Sequence, residues 1–328
     1  MKAIAYDRYG GPETLEVREM SVPSPGPDDV LVAVHAVSVN VSDVEFLTGR
    51  PVYTRASGLT RPKVSVLGSD ISGVVEAVGA NVSTFRSGDA VYGDALYTWG
   101  GFAEFAAVPA ACLVAKPAWL SHTAAATLPQ AASIALQALR DKAALLPGQK
   151  VAINGAGGGA GSFALQFARN VGAEVTGIDH LDKQDFMHEH GADHAIDYEL
   201  FDYTRVGGPY DLVVDFVASR TMRAVARALS PGGACVIVGG SVPTILQAAA
   251  LGPLMPLFGG RRFGLLVART NKYLEEIATM VGDGAIVPVI DRTFALEQTP
   301  EAVRLVHEGR ARGKVVVEIV PPELPDLT

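Results

Sequence analysis

The stretch whose residue types and spacing most clearly indicate a chemical function is a glycine-rich segment, NGAGGGAGS, at residues 154–162. It follows an apolar run, KVAI, and precedes a helical pattern, FALQFAR, so it occupies the turn from a strand to a helix. Residues without bulky side chains let a diphosphate approach the backbone in such a turn, and the helix N-terminus offers unpaired N–H groups. The segment therefore predicts a dinucleotide site. Its candidate contacts are Gly155, Ala156, Gly157, Gly158, Gly159, Ala160 and Gly161.

Two questions about this segment stay open at the level of sequence. One register of the glycine motif uses Gly155 and Gly157, and another uses Ala156, Gly158 and Gly161. A tight turn that packs the helix closely on the strand, without any ligand, would also place small residues here.

An acidic residue supports the dinucleotide interpretation. Asp179 ends the next apolar run, EVTGID, 18 positions after Gly161. A carboxylate at this spacing would accept a hydrogen bond from a ribose hydroxyl and would repel a 2′-phosphate, which favours NADH.

The elements that must position these residues alternate between short apolar runs and helical patterns, from KVAING to ACVIVGG at residues 150–240. Each run is continuous and rich in β-branched residues, which is typical of parallel strands buried on both faces. The first third of the chain instead shows period-two alternation, as in VLVAVHAVSVN, and its segment GGFAEFAAVPAACLVAKP predicts a pair of strands. We therefore expect an α/β protein in which a small barrel or sandwich precedes a doubly wound parallel sheet.

The composition excludes several classes of function. The chain has 328 residues, enough for two domains, and its formal net charge of −8 disfavours a nucleic-acid partner. The start, MKAIAYDRYGG, lacks a signal-peptide pattern, and no run approaches the roughly 18 apolar residues of a membrane span. Two cysteines fit a reducing compartment. We expect a cytoplasmic protein that binds neither nucleic acid nor a membrane.

Several segments resemble a known family. They are LGSDISGVVEAVGANVSTFRSGDAVYG, GGFAEFAAVP, LPQAASIALQAL, NGAGGGAGSFALQFAR, GADHAIDY and RGKVVVEI, spread over almost the whole chain. In these segments the chain resembles the medium-chain dehydrogenase/reductase superfamily, in its zinc-free quinone oxidoreductase and enoyl reductase-like branch. The resemblance implies a GroES-like β-rich catalytic domain at residues 1–121, a Rossmann nucleotide-binding domain at 122–265 and a C-terminal segment, 266–328, that returns to the catalytic domain. It also implies a homodimer.

The zinc-binding positions of the superfamily are altered in this chain. Zinc-dependent members carry a Cys-x-x-Asp and a Gly-His-Glu segment, whereas this chain reads NVSD and GSD, with Asn40 and Ser69 at the ligand positions. Tetrahedral zinc prefers cysteine and histidine, so we expect no zinc. Three histidines in HEHGADH, residues 188–194, are interpreted as a solvated helix end rather than a metal site, because Gly191 breaks the helix that would align them.

The resemblance further implies residues that act on the substrate. Asn40 matches a position at the nicotinamide end of the site, where its amide would donate to a carbonyl or to the cofactor. Asp43 either takes part there or braces the loop. Tyr53 and Trp99 either line the substrate pocket or simply pack as aromatic residues.

Other positions are implied for the cofactor. Lys183 and Tyr198 match contacts to the 2′-phosphate in NADPH-dependent quinone reductases, against the indication from Asp179, so the choice between NADPH and NADH stays open. Lys183 has the alternative role of a solvated lysine at a helix start. The nicotinamide half is assigned to Val217, Gly239 and Gly240.

Without a Lewis acid, the chemistry that this arrangement favours is hydride transfer from a reduced nicotinamide to a carbon activated by conjugation. We therefore expect a zinc-independent NAD(P)H-dependent reductase of a quinone or an α,β-unsaturated carbonyl. Two alternatives are an alcohol dehydrogenase that binds zinc despite the altered ligands, and a nucleotide-binding protein without catalytic activity.

Overall fold

The structure is a computed structural model that describes residues 1–56, 58–240, 242–257 and 259–322. Its strands are β1 (Lys2–Ala5), β2 (Glu16–Glu19), β3 (Asp29–Val39), β4 (Asp70–Val78), β5 (Ala90–Asp94), β6 (Phe105–Pro109), β7 (Val114–Ala115), β8 (Lys150–Asn154), β9 (Glu174–Asp179), β10 (His194–Asp197), β11 (Tyr210–Asp215), β12 (Leu229–Ile237), β13 (Arg262–Leu265), β14 (Ile290–Ala295) and β15 (Lys314–Glu318). Its α-helices are α1 (Val41–Thr48), α2 (His122–Ala125), α3 (Ser133–Leu136), α4 (Gly159–Val171), α5 (Gln184–Glu189), α6 (Met222–Ala228), α7 (Val242–Leu251), α8 (Leu274–Gly282) and α9 (Thr299–His307). Short 3₁₀ or π-helical segments are Pro12–Thr14, Val52–Arg55, Ala110–Cys112, Leu128–Ala132, Gln137–Lys142, Leu181–Lys183, Gly252–Leu257 and Leu296–Gln298.

Two compact units divide the chain. The first unit consists of Met1–Gln130, Thr270–Gly282 and Ile290–Thr328, and the second of Ala131–Arg269 and Asp283–Val289. The first division falls at 130/131 rather than at the expected 121/122, because His122 at the start of α2 bonds to Ser72 of β4 at 2.8 Å and stacks on His35. The second falls at 269/270 rather than 265/266, and the return of a short segment to the second unit was not expected.

The described part of the second unit contains a six-stranded sheet in the order β10-β9-β8-β11-β12-β13, and every neighbouring pair is parallel. Strands such as β8 are buried over nearly their whole length, which is why they read as continuous apolar runs. Order and direction confirm the predicted Rossmann-type doubly wound sheet. Because all strands point the same way, their carboxyl ends meet at one edge, where such folds bind ligands.

The described part of the first unit contains a mostly antiparallel sheet in the order β14-β15-β3-β4-β5-β7, with β6 also paired to β3. Its alternating residues fill a core that includes Val32, Val34, Ile71 and Val91, as expected for a GroES-like β-rich fold. The predicted strand pair at 100–117 is wrong in its pairing: β6 joins β3 while β7 joins β5, so the two strands are not partners.

One helical segment is shorter than the sequence suggests. The pattern TMRAVARALSPGG reads as helical, but α6 ends at Ala228 and β12 already begins at Leu229. Pro231 lacks a backbone N–H and Gly232 has a φ of 78°, so neither can extend a helix. Within the described ranges, no helix combines the length and apolar character needed to cross a membrane.

Candidate functional site

The glycine-rich segment forms the turn between β8 and α4, as the sequence predicts. Gly155 has a φ of 86°, a left-handed conformation that lets the chain turn sharply after Asn154. α4 begins at Gly159 with Gly158 as its N-cap, and the first N–H groups of this 13-residue helix have no partner within the helix. The start of α4 therefore presents N–H donors at the carboxyl edge of the parallel sheet, whereas the N–H groups of residues 155–158 already donate within the protein.

Close packing of α4 against the turn requires glycine at position 161 but not at position 158. A Cβ at Gly161 would lie 2.1 Å from the carbonyl oxygen of Gly155, so α4 can pack against the turn only with glycine there. A Cβ at Gly158 would meet nothing nearer than the same oxygen at 3.4 Å, and its φ of −88° suits any residue. The space beside Gly158 is therefore not required by the fold and fits a bound diphosphate. Because Gly161 takes the packing position, the register with Ala156 and Gly158 is favoured.

Asp179, Lys183 and Tyr198 lie together beside this turn. The Asp179 carboxylate accepts a hydrogen bond from the N–H of Gly157 at 2.9 Å and forms an ion pair with Nζ of Lys183 at 3.2 Å. Both side chains are buried, with 11% and 6% of their surface exposed. Tyr198 donates its backbone N–H to the carbonyl oxygen of Asp179 and keeps its ring half-exposed. The alternative of Lys183 as a solvated lysine is therefore wrong.

Asp215, the last residue of β11, organises the other half of the sheet edge, and the sequence analysis missed it. Its buried Oδ1 accepts hydrogen bonds from Nδ2 of Asn154 at 2.7 Å and from the N–H groups of Val217 and Ala218 at 3.1 and 2.7 Å. Tyr203 Oη donates to Oδ2 at 3.4 Å. Asp215 thereby joins the end of β8 to the loop after β11. The signal for it was present, because an aspartate closes the apolar run YDLVVD just as Asp179 closes EVTGID.

The residues assigned to the nicotinamide half lie around this loop. A Cβ at Gly240, whose φ is 132°, would come within 2.7 Å of Cβ of Ala218, and a Cβ at Gly239 would lie 3.3 Å from the carbonyl oxygen of Phe216. Half of the Val217 side chain is exposed, and its Cγ2 would be 3.1 Å from a Cβ at Gly155. Val217, Gly239 and Gly240 thus lie beside the glycine turn.

In the first unit, Asp43 fixes the position of Asn40. Its fully buried carboxylate accepts the N–H of Asn40 at 2.7 Å and the N–H of Gly68 at 2.9 Å. Burial raises the pKa of Asp43 to about 7. Both oxygens are engaged by backbone donors, so Asp43 braces the loop, which is the second of the two roles considered for it.

The Asn40 side chain is oriented by a lysine that the sequence analysis did not single out. Nζ of Lys314, at the start of β15, donates to Oδ1 of Asn40 and lies 3.8 Å from Oδ2 of Asp70. With Oδ1 held in this way, Nδ2 of Asn40 is a buried donor without a short hydrogen bond in the described part of the chain. The Asn40 amide still interacts with the Asp70 carboxylate and partly offsets the effect of burial on the pKa of Asp70. Lys314 appears in the sequence only as the lysine of RGKVVVEI, where an exposed strand start is the ordinary expectation.

Three buried carboxyl groups interact electrostatically with the Lys314 ammonium: those of Asp43, Asp70 and Asp94. Burial raises the pKa of Asp70 to about 8 and raises that of Asp94, and burial also lowers the pKa of Lys314.

The ammonium group of Lys314 beside Asn40 would repel a divalent cation. Since neither Asn40 nor Ser69 is a ligand that zinc prefers, these residues do not fit a catalytic zinc.

The two aromatic candidates have different surroundings. Tyr53 is half-exposed, and its Oη donates to Oε2 of Glu45 at 3.4 Å; burial, together with the Glu45 charge, raises the pKa of Tyr53 to about 12. Trp99 is buried in the core of the first unit, and its ring lies 4.7 Å from that of Phe46. Trp99 therefore packs as a core aromatic residue, whereas Tyr53 remains available to a ligand.

The three histidines of HEHGADH do not converge. His188 and His190 bond through Nδ1 to the carbonyl oxygens of Ala192 and Phe186, and His194 pairs with Glu174. In the residues that the structure describes, no group of three or more His, Cys, Asp or Glu side chains is arranged to hold a metal ion.

The chain is similar to known proteins over most of its length. Residues 26–118 match the family described as alcohol dehydrogenase GroES-like domain, and residues 190–317 match the family described as zinc-binding dehydrogenase. The chain is 33% identical to the Mus musculus protein "NAD(P)H oxidoreductase RTN4IP1, mitochondrial", over 98% of this chain and 89% of that protein. It is 30% identical to a Solanum lycopersicum 2-methylene-furan-3-one reductase, over 98% and 80% of the two chains. The solved quinone oxidoreductase of Coxiella burnetii superposes with a TM-score of 0.87 at 28% identity, over 98% of this chain and 99% of that one.

Proposed function

This chain belongs to the medium-chain dehydrogenase/reductase superfamily, in its quinone oxidoreductase-like branch, and from that membership we propose that it reduces a quinone or an α,β-unsaturated carbonyl without zinc. Its coarser activity is that of an NAD(P)H oxidoreductase. The observation that carries the finer proposal is the pairing of Asn40 with Lys314 where zinc-dependent members hold a metal ligand.

The second unit supplies the nucleotide-binding residues. The N–H groups at the start of α4 would hold the diphosphate, and Asp215 fixes the neighbouring loop that carries Val217. The chemistry that a reduced nicotinamide supplies when bound is a hydride.

The charge beside the glycine turn favours NADH over NADPH. The carboxylate of Asp179 is already paired with Lys183, so this lysine is not an unpaired cation for a 2′-phosphate. His180, the next residue, lies within 3.5 Å of Oε2 of Glu199 and also pairs with Asp182. A phosphate dianion would therefore meet three carboxylates, and the Lys183 and His180 side chains beside them already have partners. A ribose hydroxyl, by contrast, needs only an acceptor.

In the first unit, Asn40 is the group that acts on the substrate. When a carbon conjugated to a carbonyl is reduced, negative charge develops on the carbonyl oxygen, and an amide N–H stabilises that charge. Lys314 holds Oδ1, so Nδ2 is the donor of this amide that no short hydrogen bond occupies. The proton that completes the reduction comes from solvent, because Asp43 is committed to backbone donors.

Steady-state kinetics of the purified protein tests this function. NADH and NADPH are offered with a benzoquinone and a cyclohexenone as acceptors, and simple alcohols are offered with NAD⁺, before and after chelation. Reduction of either acceptor by protein without bound zinc supports the proposal. Activity that disappears on chelation and returns with zinc indicates the alcohol dehydrogenase alternative, and cofactor binding without turnover indicates the non-catalytic one.

The role of Asn40 needs a separate variant. We expect Asn40→Ala to lower kcat by about a hundredfold, the usual loss for one oxyanion donor, with little change in the Kd of NADH. Asn81→Ala removes an exposed asparagine of the same unit and is the matched control, expected to leave kcat unchanged. An equal kcat for Asn40→Ala and the wild type contradicts the assignment.

Two further properties are proposed on the resemblance alone. We infer a homodimer, which light scattering after size-exclusion chromatography tests. A cytoplasmic location also stays a prediction, and the matched mouse protein is described as mitochondrial.

A further inference from the structure

The second unit contains a cavity away from the glycine turn. Its volume is about 450 Å³, and it lies between α6 on one side and α7 with the following 3₁₀ segment on the other. Met222, Leu251 and Met255 give it an apolar wall. A cavity of this size is within the range that holds small organic ligands.

Three arginines line the same cavity. Arg223 and Arg227 are one helical turn apart on α6, and Arg261 precedes β13. Nε of Arg261 donates to the carbonyl oxygen of Leu229 at 3.3 Å, which fixes one guanidinium beside the cavity. None of the described lining residues is acidic, and no described ion pair involves these three arginines. In a chain with a net charge of −8, this is a local concentration of unneutralised positive charge.

The combination of an apolar wall and guanidinium groups specifies a ligand chemistry. Guanidinium forks bind a carboxylate or a phosphate, and thioether and branched side chains bind an alkyl chain. We propose that this cavity binds a medium-chain alkyl carboxylate, with the chain along Met222, Leu251 and Met255 and the carboxylate at the arginines.

This cavity is independent of the proposed hydride-transfer site. Among the described residues that line it, none belongs to the glycine turn, to the loop held by Asp215 or to the first unit. Binding of the carboxylate is therefore expected to persist when the protein is saturated with NADH. A negative reductase assay would not change the expected carboxylate binding, and absence of carboxylate binding would not change the expected reductase activity. Each experiment therefore tests one of the two proposals.

Isothermal titration calorimetry with hexanoate, octanoate and decanoate, in the presence of NADH, tests the proposal. We expect saturable one-site binding, with Kd falling about fourfold for each added methylene until the cavity is filled, as burial of a CH₂ group predicts. Octyltrimethylammonium, which has the same chain and the opposite charge, is the ligand control and is expected to bind at least about tenfold more weakly than octanoate.

Variants locate the site. The double variant Arg223→Gln/Arg227→Gln is expected to weaken octanoate binding about tenfold or more, because it removes charge-assisted hydrogen bonds. Arg205→Gln, an exposed arginine of the same unit outside the cavity, is the matched control and should bind normally. Ala226→Leu fills the cavity with a good helix former, so it should abolish binding while the protein stays folded. Equal binding of both charged ligands, or normal octanoate binding by Ala226→Leu, overturns the proposal.

Discussion

Nδ2 of Asn154 donates a 2.7 Å hydrogen bond to Oδ1 of Asp215, across the carboxyl ends of two adjacent parallel strands. The same oxygen accepts the N–H groups of Val217 and Ala218. One carboxylate therefore connects the strand that enters the glycine turn with the loop beside it. Rigid support of this kind keeps binding groups in place before a ligand arrives.

The first prediction concerns this carboxylate. Asp215→Ala leaves the amide of Asn154 buried without an acceptor, so we expect the free energy of unfolding to fall by about 1–3 kcal/mol. Release of the loop that carries Val217 should also raise the Kd of NADH several-fold. Urea denaturation and fluorescence titration with NADH measure the two effects.

Asp211 at the opposite end of β11 provides the control. It accepts hydrogen bonds from the N–H of Lys150 at 3.0 Å and from Oγ of Ser230 at 2.7 Å. Asp211→Ala should therefore lower stability without changing the Kd of NADH. If both variants change the Kd equally, Asp215 has no particular role in positioning the loop.

The second prediction concerns cofactor preference. Asp179→Asn keeps an oxygen that accepts the N–H of Gly157 and removes the negative charge. We therefore expect the ratio of kcat/KM for NADPH to kcat/KM for NADH to rise by about tenfold or more. The magnitude follows because unit charges about 4 Å apart interact by about 1–4 kcal/mol near a protein surface. Asp179→Ser should act in the same direction. Asp185→Asn removes an exposed aspartate of α5 and is the control, expected to leave the ratio unchanged. An unchanged ratio in Asp179→Asn rules out the placement of Asp179 beside the ribose.

The third prediction separates the packing glycine from the binding glycine. The Cβ added by Gly158→Ala would have no atom nearer than 3.4 Å, so the stability of this variant should be close to that of the wild type. Its Kd for NADH should rise about tenfold or more, which is the loss expected when one charge-assisted hydrogen bond is blocked. Gly161→Ala collides with the carbonyl oxygen of Gly155, so it should lose both stability and binding. Differential scanning calorimetry and NADH titration report the two quantities, and tight NADH binding by Gly158→Ala would show that the diphosphate lies elsewhere.

The fourth prediction concerns pH. Burial raises the pKa of Asp43 to about 7 and that of Asp70 to about 8 in the folded protein, above the ordinary aspartate value of 3.8. Between roughly pH 4 and pH 8 the folded state therefore binds more protons than the unfolded state, so these groups make stability fall as pH rises. The lowered pKa of Lys314 acts in the opposite direction, with stability gained as pH rises towards the value of an unfolded lysine, 10.5.

Urea midpoints at pH 5, 6, 7 and 8 test this sign. We expect the wild type to lose stability from pH 5 to pH 8, and Asp43→Asn to show a smaller loss because one of the buried carboxyl groups with a raised pKa is gone. Asp7→Asn, which removes an exposed carboxylate of the same unit, should keep the slope of the wild type. A midpoint that rises from pH 5 to pH 8 in the wild type contradicts the buried-carboxylate explanation.

The sequence by itself determined the class of fold and the glycine turn that is proposed to bind the nucleotide. Continuous β-branched runs, a glycine turn at 154–162 and Asp179 at the end of the next strand are local patterns, and each depends on neighbours close in the chain. Parallel strands then have to align their carboxyl ends, so the positions of Gly158 and Asp179 followed from sequence order.

Only the tertiary structure decided the roles of several polar side chains. Lys314 reaches Asn40 from a strand 274 residues away, and Asp215 accepts from Asn154, which is 61 residues away. The sequence neighbours of Lys183 do not distinguish a solvated lysine from one in a buried ion pair. The reason is physical: burial and partner choice depend on which distant strands pair, and residue type alone does not specify that pairing.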